Sequence, residues 1–238
     1  VGFIAKPRTL NESMRTDTIL PHGATKQVCP AATTTQKFQS ILLVGPPGVG
    51  KGTQGELLSR IPGMYHLSSG AMFRELDTDS ELGRIFHKYA SLGDLVPDEI
   101  TVQIWRDYVQ KQVSEATYNP ARDLLILDGI PRNTMQADLI NPHVNVLRII
   151  YMICENQEVM FQRIRGRASK ENRFDDSQEA IVRHRWEVYK QETEPLIDHY
   201  PQELVRIVDA DTIPAAVLQQ ILAAVVPVQK EHFKPAFM

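Results

Sequence analysis

The chain is poor in cysteine, with only Cys29 and Cys154 among its 238 residues. That count excludes a disulfide framework and a four-thiolate metal site. It leaves one thiol in a flexible segment and one buried thiol in a reducing compartment. Long apolar runs are also lacking, since none approaches the roughly 18 residues that span a bilayer. Nor does either sign of charge dominate: 26 Lys and Arg stand against 29 Asp and Glu, for a formal net charge of −3. Such a balance excludes a protein that holds nucleic acid by its overall field, so any bound anion must be met by a local cluster of basic side chains. No internal repeat is visible. What the chain does have, 42% hydrophobic residues, suits one soluble globular domain with spare residues at its ends.

Residues 1–38 carry scattered Ser and Thr, three prolines and no sustained periodicity. They are expected to form a disordered extension. An organelle transit peptide is the other reading, because Arg8, Arg15 and Lys26 sit among hydroxyl residues, although Glu12 and Asp17 count against it. The expected compartment is therefore the cytoplasm, or an organelle if that segment is a transit peptide. Residues 39–226 form the expected domain. Residues 227–238 read as a tail, with Pro227 as the helix breaker.

Within the domain, short apolar runs at Ile41–Val44, Leu124–Leu127, Val146–Ile153 and Leu204–Val208 read as buried strands. Helical stretches lie between and after them, at Gly52–Arg60, Ile100–Val113, Glu155–Arg165, Ser177–Tyr200 and Pro214–Val225. Strands alternating with helices imply βαβ units and an α/β fold, with a parallel sheet covered on both faces.

Gly45-Pro46-Pro47-Gly48-Val49-Gly50-Lys51-Gly52-Thr53 leaves the first strand and opens a helix. This is the context of a phosphate-binding loop: glycines let backbone N–H groups converge on an anion, and the helix N-terminus adds positive potential. Gly48, Val49, Gly50, Gly52 and Thr53 would surround a triphosphate while Lys51 reaches its β and γ phosphates. Gly52 separates Lys51 from the hydroxyl of Thr53, where the general pattern has them adjacent. A second signal is Leu125-Ile126-Leu127-Asp128, an apolar strand ending in a carboxylate placed to bind magnesium directly or through its waters.

With Gln54 added, the loop has the GxPGxGKGTQ form and resembles adenylate kinases and their pyrimidine-directed relatives. His66-Leu67-Ser68-Ser69-Gly70-Ala71-Met72-Phe73-Arg74 is similar to the HLSTGDLLR stretch of that family. The resemblance implies that Ser69 contacts the acceptor nucleotide and that Arg74 pairs with its phosphate. Ala71 stands where the family usually has Asp, which removes an expected helix-cap acceptor, about 1 kcal/mol of local stability. Gly93-Asp94-Leu95-Val96-Pro97 resembles the family's GxLVP segment, which implies that Asp94, Leu95 and Val96 line the acceptor base. Asp128-Gly129-Ile130-Pro131-Arg132 resembles the DG[FY]PR signature of nucleoside monophosphate kinases, with Arg132 as a second guanidinium on the acceptor phosphate and Ile130 replacing the usual aromatic. Gln136 matches the glutamine that reads adenine in this family, where kinases of UMP and CMP tend to carry Asn.

Arg163 and Arg167, at i,i+4 on one helix, precede Arg173-Phe174-Asp175-Asp176, and Arg185 follows. This resembles the short lid of adenylate kinases. It implies that Arg167 covers ATP, that Arg163 faces the phosphate chain, and that Arg173 with Arg185 grips the transferring group and reaches AMP. The acceptor segment would span about 68–97 and the lid about 166–176, too short for a zinc-binding insertion. Thr193-Glu194-Pro195-Leu196-Ile197 also resembles a family stretch, and His184 reads as an exposed helical residue. The resemblance covers about residues 40–225. It implies transfer from MgATP to AMP through Lys51, Arg132, Arg163, Arg173 and Arg185, by a monomer without structural zinc, nucleic-acid partner or membrane. A UMP/CMP kinase and a catalytically silent nucleotide-binding module are the rival expectations. A GTPase switch would show an Asn-Lys-x-Asp motif, which is absent.

Overall fold

The computed structural model describes residues 37–171 and 178–233. Its centre is a five-stranded parallel sheet built from Phe38–Val44 (β1), Met64–Ser68 (β2), Leu124–Asp128 (β3), Val144–Ile153 (β4) and Val205–Asp209 (β5), in the order β2-β3-β1-β4-β5. Every residue of β3 is buried, as expected of a strand with helices on both faces. Successive side chains of the inner strands point to opposite faces, so two cores form. Leu42, Leu125, Leu127 and Ile149 pack on one side with Trp105, Val109 and Ile140. Ile41, Ile126, Ile150 and Met152 pack on the other with Leu58, Ile221 and Val225.

The helices supplying these faces are Lys51–Ser59 (α1), Ser69–Arg74 (α2), Glu81–Ala90 (α3), Asp98–Ser114 (α4), Thr134–Ile140 (α5), Gln157–Glu171 (α6), Glu179–Val188 (α7), Leu196–His199 (α8) and Pro214–His232 (α9). The α/β class expected from the sequence is what the chain forms. β1 begins at Phe38, one residue inside the expected extension. β2 has no counterpart among the expected strands.

Two expected helix boundaries are corrected. The helix expected over Ser177–Tyr200 is interrupted: α7 ends at Val188, and a π-turn over Tyr189–Thr193 leads through Pro195 into α8. The N–H of Glu194 donates to the Tyr189 carbonyl at 2.9 Å, the i→i+5 spacing of that wider turn. The helix expected to stop before Pro227 instead runs through it to His232. A helix-interior proline costs about 3 kcal/mol. Burial opposes it: Val228 and Phe233, both beyond the proline, are buried, at about 1.5–3 kcal/mol for each such side chain. Gln229 Nε2 also donates to the Gly63 carbonyl at 3.1 Å, tying the last turns to the start of β2.

Because the helix persists despite the proline, Pro227→Ala should stabilise the protein by about 1–3 kcal/mol. Urea unfolding should show a higher midpoint at unchanged slope. An unchanged or lower midpoint would mean that the helix is not continuous there.

Candidate active site

Parallel register fixes the site. Asp128, the last residue of β3, lies opposite Leu43 of β1 on one side and Ser68 of β2 on the other. The phosphate loop, the strand-ending carboxylate and the start of the acceptor segment thus emerge side by side from the C-terminal edge of the sheet, the usual ligand crevice of open α/β folds. They open into a cleft of about 830 Å³.

The loop has no room for a side chain at Gly45 or Gly48. Gly48 has φ +83°, and a Cβ there would come within 2.6 Å of the Met160 carbonyl oxygen. Gly50 caps α1 in a left-handed conformation with no side-chain hydrogen bond, which leaves the first N–H groups of α1 for an anion. Lys51 Nζ donates to the carbonyls of Gly45 and Pro46, at 2.6 and 3.0 Å. Its pKa is drawn down to about 8, first by burial in the cleft. Asp128 opposes that fall, while the charges of Arg132, Arg167 and Arg185 add to it. Lys51 keeps some solvent contact through the open cleft, so the depression reflects crowding by cations as well as lost hydration. Gln54 serves the scaffold, since its Nε2 donates to the Pro214 carbonyl at 3.0 Å and ties α1 to α9.

Asp128 is 7% exposed. Burial would raise its pKa, but the neighbouring His66, Lys51 and Arg132 outweigh that and hold the carboxyl below its ordinary range. His66 Nε2 lies 3.5 Å from Asp128 Oδ2, an electrostatic contact longer than a well-made hydrogen bond. The imidazole lies directly over Gly55 of α1, where any Cβ would collide with the ring. Sequence reasoning gives His66 no role, although it begins a family-like stretch. Its position two residues before Ser68 is the available signal, because alternate residues of β2 share a face and Ser68 is the partner of Asp128.

On the acceptor side, Ser69 is buried and donates to the Gly129 carbonyl at 2.7 Å. Arg132 Nε donates to the same carbonyl at 3.0 Å. Gly129 has φ +77°, and a Cβ there would lie 2.6 Å from the Ser69 hydroxyl, so glycine is required for this approach. The peptide between Ile130 and Pro131 is cis. Ala71 does not deprive α2 of its cap: Ser68 is the N-cap, and its side chain accepts from the Ala71 N–H at 3.4 Å. An Asp at 71 would sit in the first turn of α2 and not at its cap.

The cleft is lined by Gly48, Gly50, Lys51, Gly52, Thr53, Ser69, Arg74, Asp94, Leu95, Val96, Asp128, Gly129, Pro131, Arg132, Gln136, Arg163, Arg167 and Arg185. Two expected site residues do not line it: Val49 and Ile130 are 2% and 1% exposed, and their side chains belong to the cores. Arg173 and the stretch through Asp176 lie outside the described residues. Further lining residues have no sequence signal of their own. Phe73 and Phe86 stack at 5.1 Å to form an apolar wall, and Tyr108 reaches Glu75 at 3.3 Å. His184 is half exposed, yet it pairs with Asp94 at 2.7 Å and joins α7 to the acceptor segment.

A single buried carboxylate beside Lys51 suits magnesium, which is commonly held by one or two carboxylates with waters and substrate phosphates. Among the described residues no cluster of three or more His, Cys, Asp or Glu side chains could hold a metal by itself. No helix among them is long and apolar enough to cross a membrane.

The family model described as adenylate kinase matches residues 43–205. An adenylate kinase of Synechococcus sp. (strain RCC307) is 38% identical over 194 residues, 77% of this chain and 97% of that protein. One from Thermobifida fusca (strain YX) is 36% identical over 176 residues, 71% of this chain and 89% of the relative.

A polyphosphate beside Lys51 favours the ammonium form and raises its pKa above about 8. Affinity for ATP should therefore be flat just below that pH and fall above it, with up to about one proton taken up on binding just above it. Calorimetry in buffers of different ionisation enthalpy measures this uptake, which should vanish in Lys51→Arg. Binding without proton uptake in the wild type would contradict the depressed lysine.

Proposed function

The chain belongs to the adenylate kinase family, an ATP:AMP phosphotransferase, and we propose that it carries out this reaction with both nucleotides in the one cleft at the C-terminal edge of the sheet. The observation that carries the reading is the convergence on Lys51 of Arg132, Arg167 and Arg185, three guanidinium groups from three separate segments of chain. Donor and acceptor together bring about six negative charges, and phosphoryl transfer needs alignment and charge neutralisation more than covalent chemistry.

In this reading the ATP phosphates rest on the loop from Gly48 to Thr53 and the N-terminus of α1, with Lys51 against the β and γ phosphates and Arg167 over the nucleotide. Asp128 would hold magnesium through its waters, and the ion would neutralise phosphate charge. Arg74 and Arg132 grip the AMP phosphate, since a guanidinium meets two phosphate oxygens at once. Ser69 holds the Gly129 turn beside it. Asp94, Leu95 and Val96 border the acceptor base, and Gln136 reads the adenine edge.

An AMP phosphate oxygen, already anionic, attacks the γ phosphorus while the bond to the β-phosphate bridging oxygen breaks. Two ADP result, and no general base is required. Arg163 and Arg185, with Arg173 from the lid, stabilise the charge on the group in flight. Water is a competing acceptor, so closure of the lid side over the cleft must precede transfer.

Arg132→Ala should lower kcat/KM for AMP by roughly 10³-fold while the KM for ATP changes little. ADP formation from MgATP, measured with AMP, UMP, CMP and GMP in parallel, checks both the variant and the acceptor choice. A variant with normal AMP turnover would remove Arg132 from the site. Equal turnover of UMP or CMP by the wild type would overturn the role given to Gln136.

A further inference from the structure

Gln136 is 1% exposed and is held at both ends. Its Nε2 donates to Asp98 Oδ1 at 2.8 Å, and its Oε1 accepts from the backbone N–H of Arg132, also at 2.8 Å. Asp98 begins α4 and does not line the cleft, whereas Gln136 does. Asp98 also accepts from Asn133 Nδ2 at 3.1 and 3.3 Å, and Asn133 Oδ1 accepts from the Gln136 N–H at 2.8 Å. The carboxylate is thus fixed from the α5 side, and its hydrogen bond to Gln136 links it to the cleft.

A primary amide can be turned end for end at almost no steric cost, and its two orientations present opposite hydrogen-bonding patterns. Here the surroundings permit one. A carboxylate can only accept, and a backbone N–H can only donate. Turning the amide would set oxygen against carboxylate and NH₂ against N–H, losing both bonds and creating two repulsions. One N–H and one lone pair of the amide then remain to be offered to a ligand. That pair matches adenine, which shows a ring-nitrogen acceptor beside an amino donor. Hypoxanthine and guanine show a ring N–H beside a carbonyl, the reverse pattern.

We propose that Asp98 is a positioning residue for acceptor specificity: by fixing the orientation of the Gln136 amide, it makes the site select a 6-aminopurine monophosphate over a 6-oxopurine one. This rests on the reading of Gln136 as the group that meets the acceptor base. Asp98 is not a catalytic residue, since it touches neither substrate nor reacting phosphate in that reading. Its removal leaves the amide held by the Arg132 N–H alone.

The test compares AMP with IMP as acceptor in the full-length wild type, Asp98→Ala, Asp98→Ser, Gln136→Ala and the double variant Asp98→Ala/Gln136→Ala. Asp98→Ala and Asp98→Ser both remove the carboxylate, and Ser keeps a side-chain oxygen in the first turn of α4 if Ala is not tolerated there. Loss of a hydrogen bond to a charged group should raise the KM for AMP about tenfold. The kcat and the KM for ATP should stay within about twofold, and the AMP-to-IMP ratio of kcat/KM should fall by about tenfold. Asp98→Asn keeps an acceptor oxygen and should recover most of that ratio. In the Gln136→Ala background, Asp98→Ala should change the ratio no further. A normal ratio in Asp98→Ala or Asp98→Ser, with Gln136→Ala collapsing it, would overturn the positioning role alone. A normal ratio in Gln136→Ala would instead remove Gln136 as the base-reading group. Equal losses for AMP, IMP and ATP would mark Asp98 as merely structural.

Discussion

The arrangement depends on the register of three parallel strands. Because Asp128 of β3 stands opposite Leu43 and Ser68 at once, the phosphate loop, the carboxylate and the acceptor segment share one edge of the sheet. A slip of one residue would turn Asp128 to the opposite face and exchange Leu125 and Leu127 with Leu124 and Ile126 between the two cores. The same burial that holds β3 in place therefore holds the chemistry in place. Around that edge the protein gathers like charges, with Lys51 close to three arginines and its pKa brought down to about 8. Such crowding is unfavourable by itself and is relieved by phosphate, so the site is already shaped for an anion.

Packing is tight where the chain turns. Gly48 and Gly129 have positive φ and no space for a Cβ, and Gly55 makes way for the His66 ring. His66 in turn helps keep Asp128 ionised, although burial alone would push its pKa up. On the acceptor side a similarly close set of contacts joins Asp98, Asn133, Gln136 and the Arg132 backbone in one network. The turn that carries Arg132 is thus also the turn that holds the Gln136 amide.

Much of this is legible in the sequence, for identifiable reasons. β1, β3 and β4 are inner strands, and they read as apolar runs. β2 is an edge strand containing Tyr65, His66 and Ser68, so it presents no such run. Pro227 suggests a helix end by its local cost, which long-range burial of Val228 and Phe233 outweighs. The π-turn at Tyr189 is invisible because its residues fit an ordinary helix. Lys51, Asp128, Arg132 and Gln136 carry motif signals and do line one cleft. Ala71 misleads about the cap of α2, since position 71 lies inside the helix and Ser68 caps it. The pairing of His184 with Asp94 and that of Asp98 with Gln136 join residues 90 and 38 positions apart, beyond any local pattern.

In the proposed reading one cleft holds both nucleotides, with their phosphates converging at Lys51 and Asp128. A ligand carrying two adenosines on a single five-phosphate bridge tests it most directly by calorimetric titration. One equivalent should bind per chain, more tightly than ATP or AMP alone, and either nucleotide should displace it. Two independent equivalents, or displacement by ATP but not by AMP, would contradict a shared cleft.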